Sequence, residues 1–370
     1  MKILQLSKFY PPVSGGIESV VYELTEGLNA RGYAADVLCS HTTRGTVTER
    51  VPSGYSITRT SSWGKILSTS MSAAMLQELQ RRAGKYDVIH VHLPDPLTNL
   101  ALLWCRPKAK IVVHWHSDIV HQQLALKVYA PLQDWLLRRA DAIIATSPPY
   151  AASSLWLQPF SAKVHVIPIG IGNPPQPSHD ILETIRTRHS GRRIVFSLGR
   201  MTYYKGFDVL IDAARLLPED VVVVVGGGGE LLASYRAKAE ALGLSRKIIF
   251  TGRLSEEEIH AYYRSADIFC LASKVRAEAF GVVLLEAMAA GLPIVATDIP
   301  GSGVPWVNQH GITGLNVPTE NSEALAQAIQ QLLDNRPMHQ AMCEAGRARY
   351  MQEFTEDRMV SRAVDLFNSL

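Results

Sequence analysis

The sequence predicts an α/β protein made of two doubly wound domains in series. Short apolar runs rich in Val and Ile alternate with segments of helical period along nearly the whole chain. This pattern is typical of parallel sheets covered by helices on both faces. The alternation is interrupted once, by the proline-rich stretch "GNPPQPSHD" at 172–180, which is typical of an interdomain linker. The chain has 370 residues, 47% of them apolar and 19% charged, which suits two domains with sizeable cores.

The predicted strands follow one another at regular spacing on both sides of the linker. In the first half they lie at 2–8, 35–40, 87–92, 110–116, 141–147 and 164–168. In the second half they lie at 193–198, 221–225, 247–251, 267–272 and 293–297. Helical segments follow most of them, such as 18–31, which Gly32 would end. Ligand crevices in such folds lie beyond the carboxyl ends of the strands.

Several protein classes are disfavoured by composition. The four cysteines are scattered without a CxxC pair, and three lie in apolar segments, which predicts buried free thiols rather than disulfides or zinc ligands. The longest uncharged stretch, 142–162, contains three prolines and is not expected to span a membrane. The amino end runs from residues 1–9 directly into Pro11 and Pro12, so we do not expect a signal peptide.

The charge is distributed unevenly between the halves. Residues 1–172 carry a net charge of +6 and residues 173–370 a net charge of −3. Two segments of the basic half, 61–85 and 121–140, mix Trp, Leu and Met with basic residues and are predicted to be amphipathic helices. Their basic residues are Lys65, Arg81, Arg82, Lys127, Arg138 and Arg139. Such helices either lie in an anionic headgroup layer or simply cover the sheet with their charges solvated.

Polar residues that suit an anionic ligand follow the first strand of each half. Gly15 and Gly16 precede the first helix, where bare backbone amides and the positive helix end attract phosphate. In "FSLGRMTYYKGFD", Arg200 and Lys205 flank a turn before Gly206 and the next helix. Two cations at that position suit a diphosphate.

Two glutamates mark the third candidate loop. Glu286 is the only polar side chain between residues 281 and 290, inside a helix predicted to be buried. A buried carboxylate needs a partner, and carboxylates accept hydrogen bonds from vicinal hydroxyls. Glu278 lies eight residues earlier, in the loop before the helix, where it could accept hydrogen bonds from a sugar.

Together these motifs resemble the retaining GT-B glycosyltransferases of family 4. The resemblance rests on "EAFGVVLLEAMAAGLP", "GRMTYYKGFD" and the early "SGGIE", with "VNQHGITGLNVP" and "HSDIV" in support. It implies two Rossmann-like domains facing across a cleft. The acceptor-binding domain would occupy 1–171 and include a final helix at 353–370 that crosses back to it. The domain that binds the nucleotide sugar would occupy 172–352.

The resemblance also implies roles for individual residues. Arg200 and Lys205 would hold the donor diphosphate, and Gly15 and Gly16 would approach phosphate or acceptor. The remaining implied roles are sugar-hydroxyl recognition by Glu278 with the backbone of Ala279, Phe280, Gly281 and Val282, ribose binding by Glu286, base recognition near Arg253 and Leu254, support of the reacting centre by His116, and acceptor or sugar contact by Asp118. The family needs no bound metal or other cofactor, and the nucleotide-diphosphate sugar is a co-substrate.

Parts of the sequence resemble the motifs of three other chemistries. "HWHSD" places His114 and His116 on one strand face with Asp118 after them, a string that some zinc hydrolases use. However, no further clustered His/Asp motif follows, and His114 is predicted to be packed in the core. "VVVVVGGGGELL" imitates a dinucleotide-binding fingerprint, but Leu231 occupies its third glycine position. A sugar-nucleotide epimerase or an NAD-dependent oxidoreductase remains the alternative class.

The function implied by the resemblance is transfer of a hexose during synthesis of O-antigen, capsule or another bacterial surface polysaccharide. "IPGSGVPWVNQHGITGL" most resembles mannosyltransferases that use GDP-mannose, and UDP-hexoses remain open as donors. The acceptor would be a lipid-linked oligosaccharide at the inner face of the cytoplasmic membrane. The protein would then be cytoplasmic or peripheral at an anionic membrane surface, and no nucleic acid is expected as a partner.

Overall fold

A computed structural model describes residues 1–13, 15–66, 69–119 and 123–370. The chain divides into two compact units. Unit 1 comprises Met1–Gly172 and Thr355–Leu370, and unit 2 comprises Asn173–Phe354. Unit 2 begins one residue after the predicted start at 172, and the returning segment begins two residues after the predicted start at 353.

Unit 1 is built on an eight-stranded sheet. The strands are β1 (Lys2–Leu6), β2 (Ala34–Ser40), β3 (Val47–Arg50), β4 (Ser56–Thr60), β7 (Val88–Leu93), β8 (Lys110–Trp115), β9 (Ala142–Ala145) and β10 (Val164–Val166), with a separate two-stranded hairpin of β5 (Lys65–Ile66) and β6 (Thr69–Ser70). The order across the sheet is β10-β9-β8-β7-β1-β2-β4-β3. Only the edge strand β3 is antiparallel to its neighbour. The order reverses between β1 and β7, which is the switch point of this doubly wound sheet.

The helices of unit 1 cover this sheet and include the end of the chain. They are α1 (Gly16–Ala30), α2 (Ala73–Arg82), α3 (Pro96–Cys105), α4 (Gln123–Arg139), α5 (Pro148–Ser153) and α14 (Glu356–Asn368). The last helix, α14, packs on α1. Gly27 makes that close packing possible, because a Cβ there would lie 2.5 Å from Cγ2 of Val360.

Unit 2 contains a six-stranded, wholly parallel sheet. Its strands are β11 (Arg193–Leu198), β12 (Val221–Gly226), β13 (Ile248–Gly252), β14 (Ile268–Leu271), β15 (Ile294–Asp298) and β16 (Gly314–Pro318). The order β13-β12-β11-β14-β15-β16 corresponds to the 3-2-1-4-5-6 order of dinucleotide-binding domains. The switch point lies between β11 and β14, so the carboxyl ends of these two strands are where a ligand is expected.

The helices of unit 2 enclose a continuous apolar core. They are α6 (His179–Arg188), α7 (Phe207–Ala214), α8 (Leu232–Ala241), α9 (Glu256–Ser265), α10 (Val282–Ala290), α11 (Val304–Val307), α12 (Ser322–Asp334) and α13 (Arg336–Glu353). The five residues Val221–Val225 of β12 are fully buried. A central strand of a sheet covered on both faces requires this continuous burial.

The predicted fold class is confirmed. All eleven predicted strands are present, with bounds shifted by at most two residues, and the first helix begins at Gly16 instead of 18. Strands β3 to β6 and β16 were not predicted. Cys39 and Cys270 are buried free thiols, whereas Cys105 and Cys343 are half-buried. Among the described residues, no helix combines the length and apolarity that crossing a membrane requires.

Candidate functional site

The loops that follow β11, β12 and β13 lie side by side at the carboxyl edge of the unit 2 sheet. Backbone hydrogen bonds tie them together, from Gly199 N to Gly226 O (3.0 Å) and from Gly227 N to Gly252 O (2.7 Å). A Cβ on Gly227 would lie 2.0 Å from the carbonyl oxygen of Gly199. The glycine run of "VVVVVGGGGELL" is therefore required by the close approach of these loops.

A buried ion pair occupies the switch point. Lys205 follows β11 and Glu278 follows β14, and Lys205 Nζ lies 2.5 Å from Glu278 Oε2. Ser273 Oγ donates a second hydrogen bond, 2.8 Å long, to the same oxygen. The side chains of Lys205 and Glu278 are only 9% and 10% exposed. The chain thus holds a lysine and a glutamate, both predicted as site residues, in direct contact.

Local backbone geometry brings Lys205 to this position. It ends a 3₁₀ turn, Tyr203–Lys205, and Gly206 follows with φ +67°. A Cβ on Gly206 would lie 1.9 Å from the carbonyl oxygen of Ala272, so only glycine fits. Burial by itself lowers the pKa of Lys205, but the charge of Glu278, the neighbouring Tyr204 and the hydrogen bond to Glu278 together outweigh it, and the pKa is raised above its ordinary value. The lysine is therefore cationic at neutral pH.

The second glutamate has a partner that the sequence did not reveal. Glu286 Oε2 accepts a 2.7 Å hydrogen bond from the hydroxyl of Tyr263 on α9. Burial raises the pKa of the Glu286 carboxyl, and the hydrogen bond from Tyr263 opposes that rise. Lys205 also lowers this pKa through its charge, so Glu286 belongs to the same electrostatic cluster as the ion pair.

Both glutamates keep one oxygen free. In the part of the chain that the structure describes, Oε1 of Glu278 and Oε1 of Glu286 accept no hydrogen bond, whereas Oε2 of each is held. Neither Oε1 is among the fully buried atoms that lack a partner. Each carboxylate is thus fixed by one oxygen and presents the other to solvent or ligand.

The start of α10 adds a row of unused backbone donors between the two glutamates. Across the described residues, the amides of residues 279 to 283 donate no hydrogen bond. The side chains of Ala279 and Phe280 are buried, and Phe280 packs against Trp306 and Phe354. Ala279 and Phe280 can therefore offer a ligand only their backbone groups, and Gly281 has no side chain. Unused amides at a helix N-terminus favour an anion or other acceptor.

Arg200 extends the positive character of this edge. Its side chain is exposed, and it has no hydrogen-bond or ion-pair partner among the described residues. Its charge lowers the pKa of Lys205, which places the two cations within electrostatic range of each other. Arg200 and Glu286 are therefore both within electrostatic range of the Lys205–Glu278 pair.

The predicted base-recognition residues follow β13, two strands away from β11. Arg253 is exposed, and its Cγ lies 3.3 Å from the position of a Cβ on Gly228. Leu254 covers the end of β12, where its Cδ1 lies 2.8 Å from the position of a Cβ on Gly226. These two side chains end the row of loops on the β13 side.

In unit 1, a side chain of the protein itself lies beside the glycines at the start of α1, where the sequence predicts a phosphate site. A Cβ on Gly15 would lie 2.2 Å from Oε2 of Glu18. The carboxylate of Glu18, in the first turn of α1, therefore lies over the helix start where phosphate was predicted. Gly16 begins the helix and is exposed. An incoming anion would have to displace Glu18 from this position.

His116 and Asp118 follow β8, at the carboxyl edge of the unit 1 sheet. His116 is buried, with 6% of its surface exposed. Asp118 Oδ1 accepts hydrogen bonds from Trp115 Nε1 (2.8 Å) and Ser154 Oγ (2.7 Å), and its amide donates to the Tyr150 hydroxyl (2.6 Å). One oxygen of Asp118 is thus used to hold the loop after β8.

The histidines of β7 and β8 form a stack. His90, His92 and His114 place ring nitrogens within 4.8 Å of one another, which is the spacing of a possible metal site. However, the planes of His90 and His114 lie 19° apart, and those of His92 and His114 lie 28° apart, in stacked contact. Lone pairs of stacked rings do not converge on one point, as tetrahedral zinc requires. His114 is buried, in agreement with the predicted core position.

The two predicted amphipathic segments are only partly as expected. In 61–85 the helix is limited to α2, and α4 covers most of 121–140; residues 67, 68, 121 and 122 and the side chain of Lys65 lie outside the described part. Arg82 bonds Glu78, and Arg139 donates to the carbonyls of Pro107 and Ala109. These two arginines are therefore engaged within unit 1, and binding of the segments to a membrane stays a prediction.

Comparison with known proteins places the chain in a family. A model described as "Glycosyltransferase Family 4" matches residues 14–172, and one described as "Glycosyl transferases group 1" matches residues 181–349. The O-antigen chain mannosyltransferase C of Escherichia coli is 35% identical over 375 residues, covering 100% of this chain and 99% of that protein. The D-rhamnosyltransferase WbpZ of Pseudomonas aeruginosa is 34% identical, covering 96% and 92%.

Solved structures agree on the fold. Anabaena HepE in complex with UDP-glucose gives a TM-score of 0.80 at 21% identity, with 100% of both chains covered. The sucrose-phosphate synthase of Thermosynechococcus elongatus gives 0.81 at 22% identity, covering 100% of this chain and 98% of that one. The two doubly wound units, the motifs at their strand ends and these matches show that the chain is a glycosyltransferase of the GT-B fold and belongs to glycosyltransferase family 4.

Proposed function

We propose that the protein transfers a hexose, with retention of configuration, from a nucleotide-diphosphate sugar to a lipid-linked oligosaccharide of a bacterial surface polysaccharide. The first candidate donor is GDP-mannose. The name of the Escherichia coli relative, an O-antigen chain mannosyltransferase, supports both the sugar and the pathway. More distant relatives are named lipopolysaccharide core mannosyltransferases or GDP-mannose-dependent mannosyltransferases.

The observation that carries the proposal is the pair of half-used glutamates. Glu278 and Glu286 are each held through Oε2 and present Oε1, on either side of the unused amides at 279–283. Free carboxylate oxygens suit hydroxyl donors, and free amides beside a lysine suit phosphate oxygens. A sugar, a diphosphate and a ribose offer these groups in one molecule. We assign the sugar hydroxyls to Glu278 and the ribose to Glu286.

The two cations would act on the leaving group. The bond from the anomeric carbon to the phosphate oxygen breaks, and its electron pair goes to that oxygen. The acceptor hydroxyl forms the new bond on the same face, and its proton passes to the departing phosphate. Arg200, Lys205 and the amides before α10 would neutralise the developing diphosphate charge. We propose that this makes a metal ion unnecessary.

The remaining predicted residues take supporting roles in the proposal. Arg253 and Leu254 would border the base, because their loop ends the row on the β13 side. His116 would contact the sugar beside the reacting centre, and Gly15 and Gly16 would approach phosphate or acceptor. Asp118 would act chiefly by holding the loop that carries His116, since its Oδ1 is engaged by Trp115 and Ser154.

We further propose a peripheral encounter of unit 1 with an anionic membrane, where a lipid-linked acceptor would reside. Trp104 and Leu100 on α3 are exposed, as are Val128 on α4 and Trp63, and α3 packs beside α4. Exposed tryptophans favour the headgroup layer. Arg81 and Arg138 pair with Glu78 and Asp134, but their side chains are 70% and 69% exposed and would supply the attraction to anionic lipid.

The test is a donor screen on the purified protein. GDP-mannose, GDP-D-rhamnose, UDP-glucose and UDP-galactose are offered with a lipid-linked oligosaccharide extract, and released nucleotide and product are measured. We expect turnover with GDP-mannose and an α-linked product by NMR, since the donor is α-linked. Turnover restricted to a UDP-hexose, or a β-linked product, would refute the donor or the stereochemistry respectively.

Variants tie the activity to the site. Arg200→Ala and Lys205→Ala should each lower kcat at least a hundredfold, because removal of one charge-assisted contact to a departing group costs roughly 3 kcal/mol of barrier. Arg215→Ala is the matched control, since Arg215 is an exposed arginine at the far end of α7. Near-normal turnover of Arg200→Ala or Lys205→Ala would remove these residues from the mechanism.

A further inference from the structure

Four histidines form a buried ladder across β7 and β8. His90 and His92 lie on β7, and His114 and His116 belong to β8 and the residue after it. Strand register places His92 opposite His114, and ring centroids of neighbouring histidines are 4.1 to 5.3 Å apart. Three of these rings are at most 1% exposed, whereas His116 is 6% exposed at the carboxyl edge of the sheet.

Burial keeps the rings of the ladder neutral. It lowers the pKa of His90 and of His116 to about 3, and burial together with the neighbouring rings lowers the pKa of His92 and of His114 well below the ordinary value. At neutral pH each ring therefore carries one N–H group and one nitrogen lone pair. Whichever nitrogen carries the hydrogen is decided by the hydrogen bonds that the ring makes.

A chain of hydrogen bonds links the middle of the sheet to His116. Gln5 on β1 places its Oε1 2.9 Å from His92 Nε2, and His92 Nδ1 lies 3.0 Å from His116 Nε2. The amide oxygen of Gln5 can only accept, so His92 Nε2 donates to it. A neutral His92 then has only a lone pair at Nδ1, which must accept from Nε2–H of His116.

The geometry points to Gln5 and His92 as positioning residues that hold His116 in its Nε2–H tautomer. The lone pair of His116 Nδ1 is then available to accept a hydrogen bond from a substrate hydroxyl. Among the residues that the structure describes, both nitrogens of His90 and of His114 are fully buried without a hydrogen-bond partner, whereas Nδ1 of His116 is not among such atoms. This nitrogen thus keeps accessible surface. The inference rests on the proposed function, in which His116 contacts the donor sugar.

Gln5 is the residue that gives the chain its direction. Without an acceptor at Gln5, His92 gains no preference for hydrogen at Nε2, and the bond between His92 and His116 forms equally well with either ring as donor. His116 would then present a lone pair in some molecules and an N–H group in others. A hydroxyl that must donate to Nδ1 would lose its partner in the second population.

The test reads the tautomers directly. Full-length protein with ¹⁵N-labelled histidine is studied by two-bond ¹H–¹⁵N correlation NMR, which distinguishes protonated from unprotonated ring nitrogens. The signals of His92 and His116 are assigned by their loss in His92→Gln and His116→Gln. We expect hydrogen on Nε2 of both rings in the unsubstituted protein, and a mixture of tautomers at His116 in Gln5→Leu.

The matched control is Gln133→Leu, since Gln133 is also a buried glutamine of unit 1 and, within the described part of the chain, its Nε2 has no partner and its side chain bonds no histidine. Gln133→Leu should leave both tautomers unchanged. In the transfer assay, Gln5→Leu should lower kcat/KM about tenfold, the loss expected when one neutral hydrogen bond is no longer ordered, whereas binding of the free nucleotide should not change.

Several results would overturn the inference. Hydrogen on Nδ1 of His116 in the unsubstituted protein would do so, and that measurement needs no variant to fold. Tautomers in Gln5→Leu that match the unsubstituted protein would also overturn it. So would one metal ion per protein molecule by elemental analysis, because a histidine ring that ligates a metal cannot take part in these hydrogen bonds. If the tautomers are as assigned but no donor is turned over, the proposed function fails and the ladder stands.

Discussion

Neutralising one member of the Lys205–Glu278 pair should cost more stability than neutralising both. The pair joins Nζ and Oε2 at 2.5 Å, with side chains 9% and 10% exposed. Removing one partner of such a pair leaves an uncompensated buried charge, at a cost of about 3–5 kcal/mol. We therefore expect Lys205→Met and Glu278→Gln each to lower the free energy of unfolding by about 3 kcal/mol.

The double variant carries no charge at either position and should lose much less than the sum. In the double variant, the side-chain amide oxygen at position 278 can still accept a hydrogen bond from Ser273 Oγ. The methionine side chain at position 205 fills the space of the lysine stem. We expect a coupling free energy of about 3 kcal/mol between the two substitutions. The assay is urea-induced unfolding of all four proteins, with hydrogen exchange in β11 and β14 to show that unit 2 unfolds.

A second lysine–glutamate pair provides the control. Lys247 Nζ lies 3.1 Å from Glu219 Oε1, but the glutamate side chain is 96% exposed. The same cycle with Lys247→Met and Glu219→Gln should show no measurable coupling, because exposed pairs gain little. If the two cycles give equal coupling, or if the losses at Lys205 and Glu278 simply add, the pair is not a buried charge pair and the reasoning is refuted.

Four further predictions follow from the same geometry. Glu286→Gln and Tyr263→Phe should both weaken binding of the free nucleotide, measured by calorimetry. Glu278→Gln should lower turnover of the full donor more than it weakens binding of the free nucleotide. Variants that behave alike would disprove the assignment of the ribose to Glu286 and of the sugar to Glu278. Transfer activity should survive EDTA, and a strict zinc requirement would contradict the proposed mechanism. Binding to anionic liposomes should weaken as salt is added, and it should weaken in the double variant that combines Arg81→Ser and Arg138→Ser. Failure to bind at low salt would exclude the proposed encounter with an anionic membrane. The lowered pKa values of the four histidines mean that the unfolded chain binds protons first as pH falls. The contribution of these neutral rings to stability is therefore fully present above about pH 6.5 and is lost as pH decreases toward 3; stability that is flat over that range would contradict their burial as neutral rings.

The parallel strands could be predicted because burial on both faces leaves an unmistakable pattern of continuous apolar residues, as in Val221–Val225. The strands that were missed lack it. All four residues of Val47–Arg50 are exposed, so this edge strand reads as a polar loop. Gly314–Pro318 contains Asn316 and ends in proline, which are loop signals. Edge strands need less apolar sequence, and their pairing is set by neighbours distant in the chain.

The site residues could be predicted where chemistry and strand ends coincide, and not where contacts cross the fold. Lys205 and Glu278 carry charge beside turns, whereas Tyr263 is one of many aromatic residues on a helix and meets Glu286 because α9 packs against α10. Gln5 offered a signal, as a polar residue within the apolar strand β1. Its partner His92 lies 87 residues away, and the sequence does not contain that pairing in readable form.

The ion pair keeps Lys205 charged inside unit 2, because Glu278 compensates its buried positive charge when no ligand is bound. Lys205 is buried, and burial by itself would drive it toward the neutral form, but Glu278 together with Tyr204 holds its pKa above the ordinary value. In the proposed mechanism, an entering diphosphate would replace Glu278 as the anionic partner of Lys205, and the lysine would remain charged throughout. Glu278 Oε2 would keep the hydrogen bond from Ser273, so the carboxylate would stay in place. Both of its oxygens could then accept hydrogen bonds from sugar hydroxyls. We therefore expect Ser273→Ala to leave binding of the free nucleotide unchanged and to raise KM for the full donor several-fold. Loss of nucleotide affinity in Ser273→Ala would instead mean that Ser273 and Glu278 bind the phosphates.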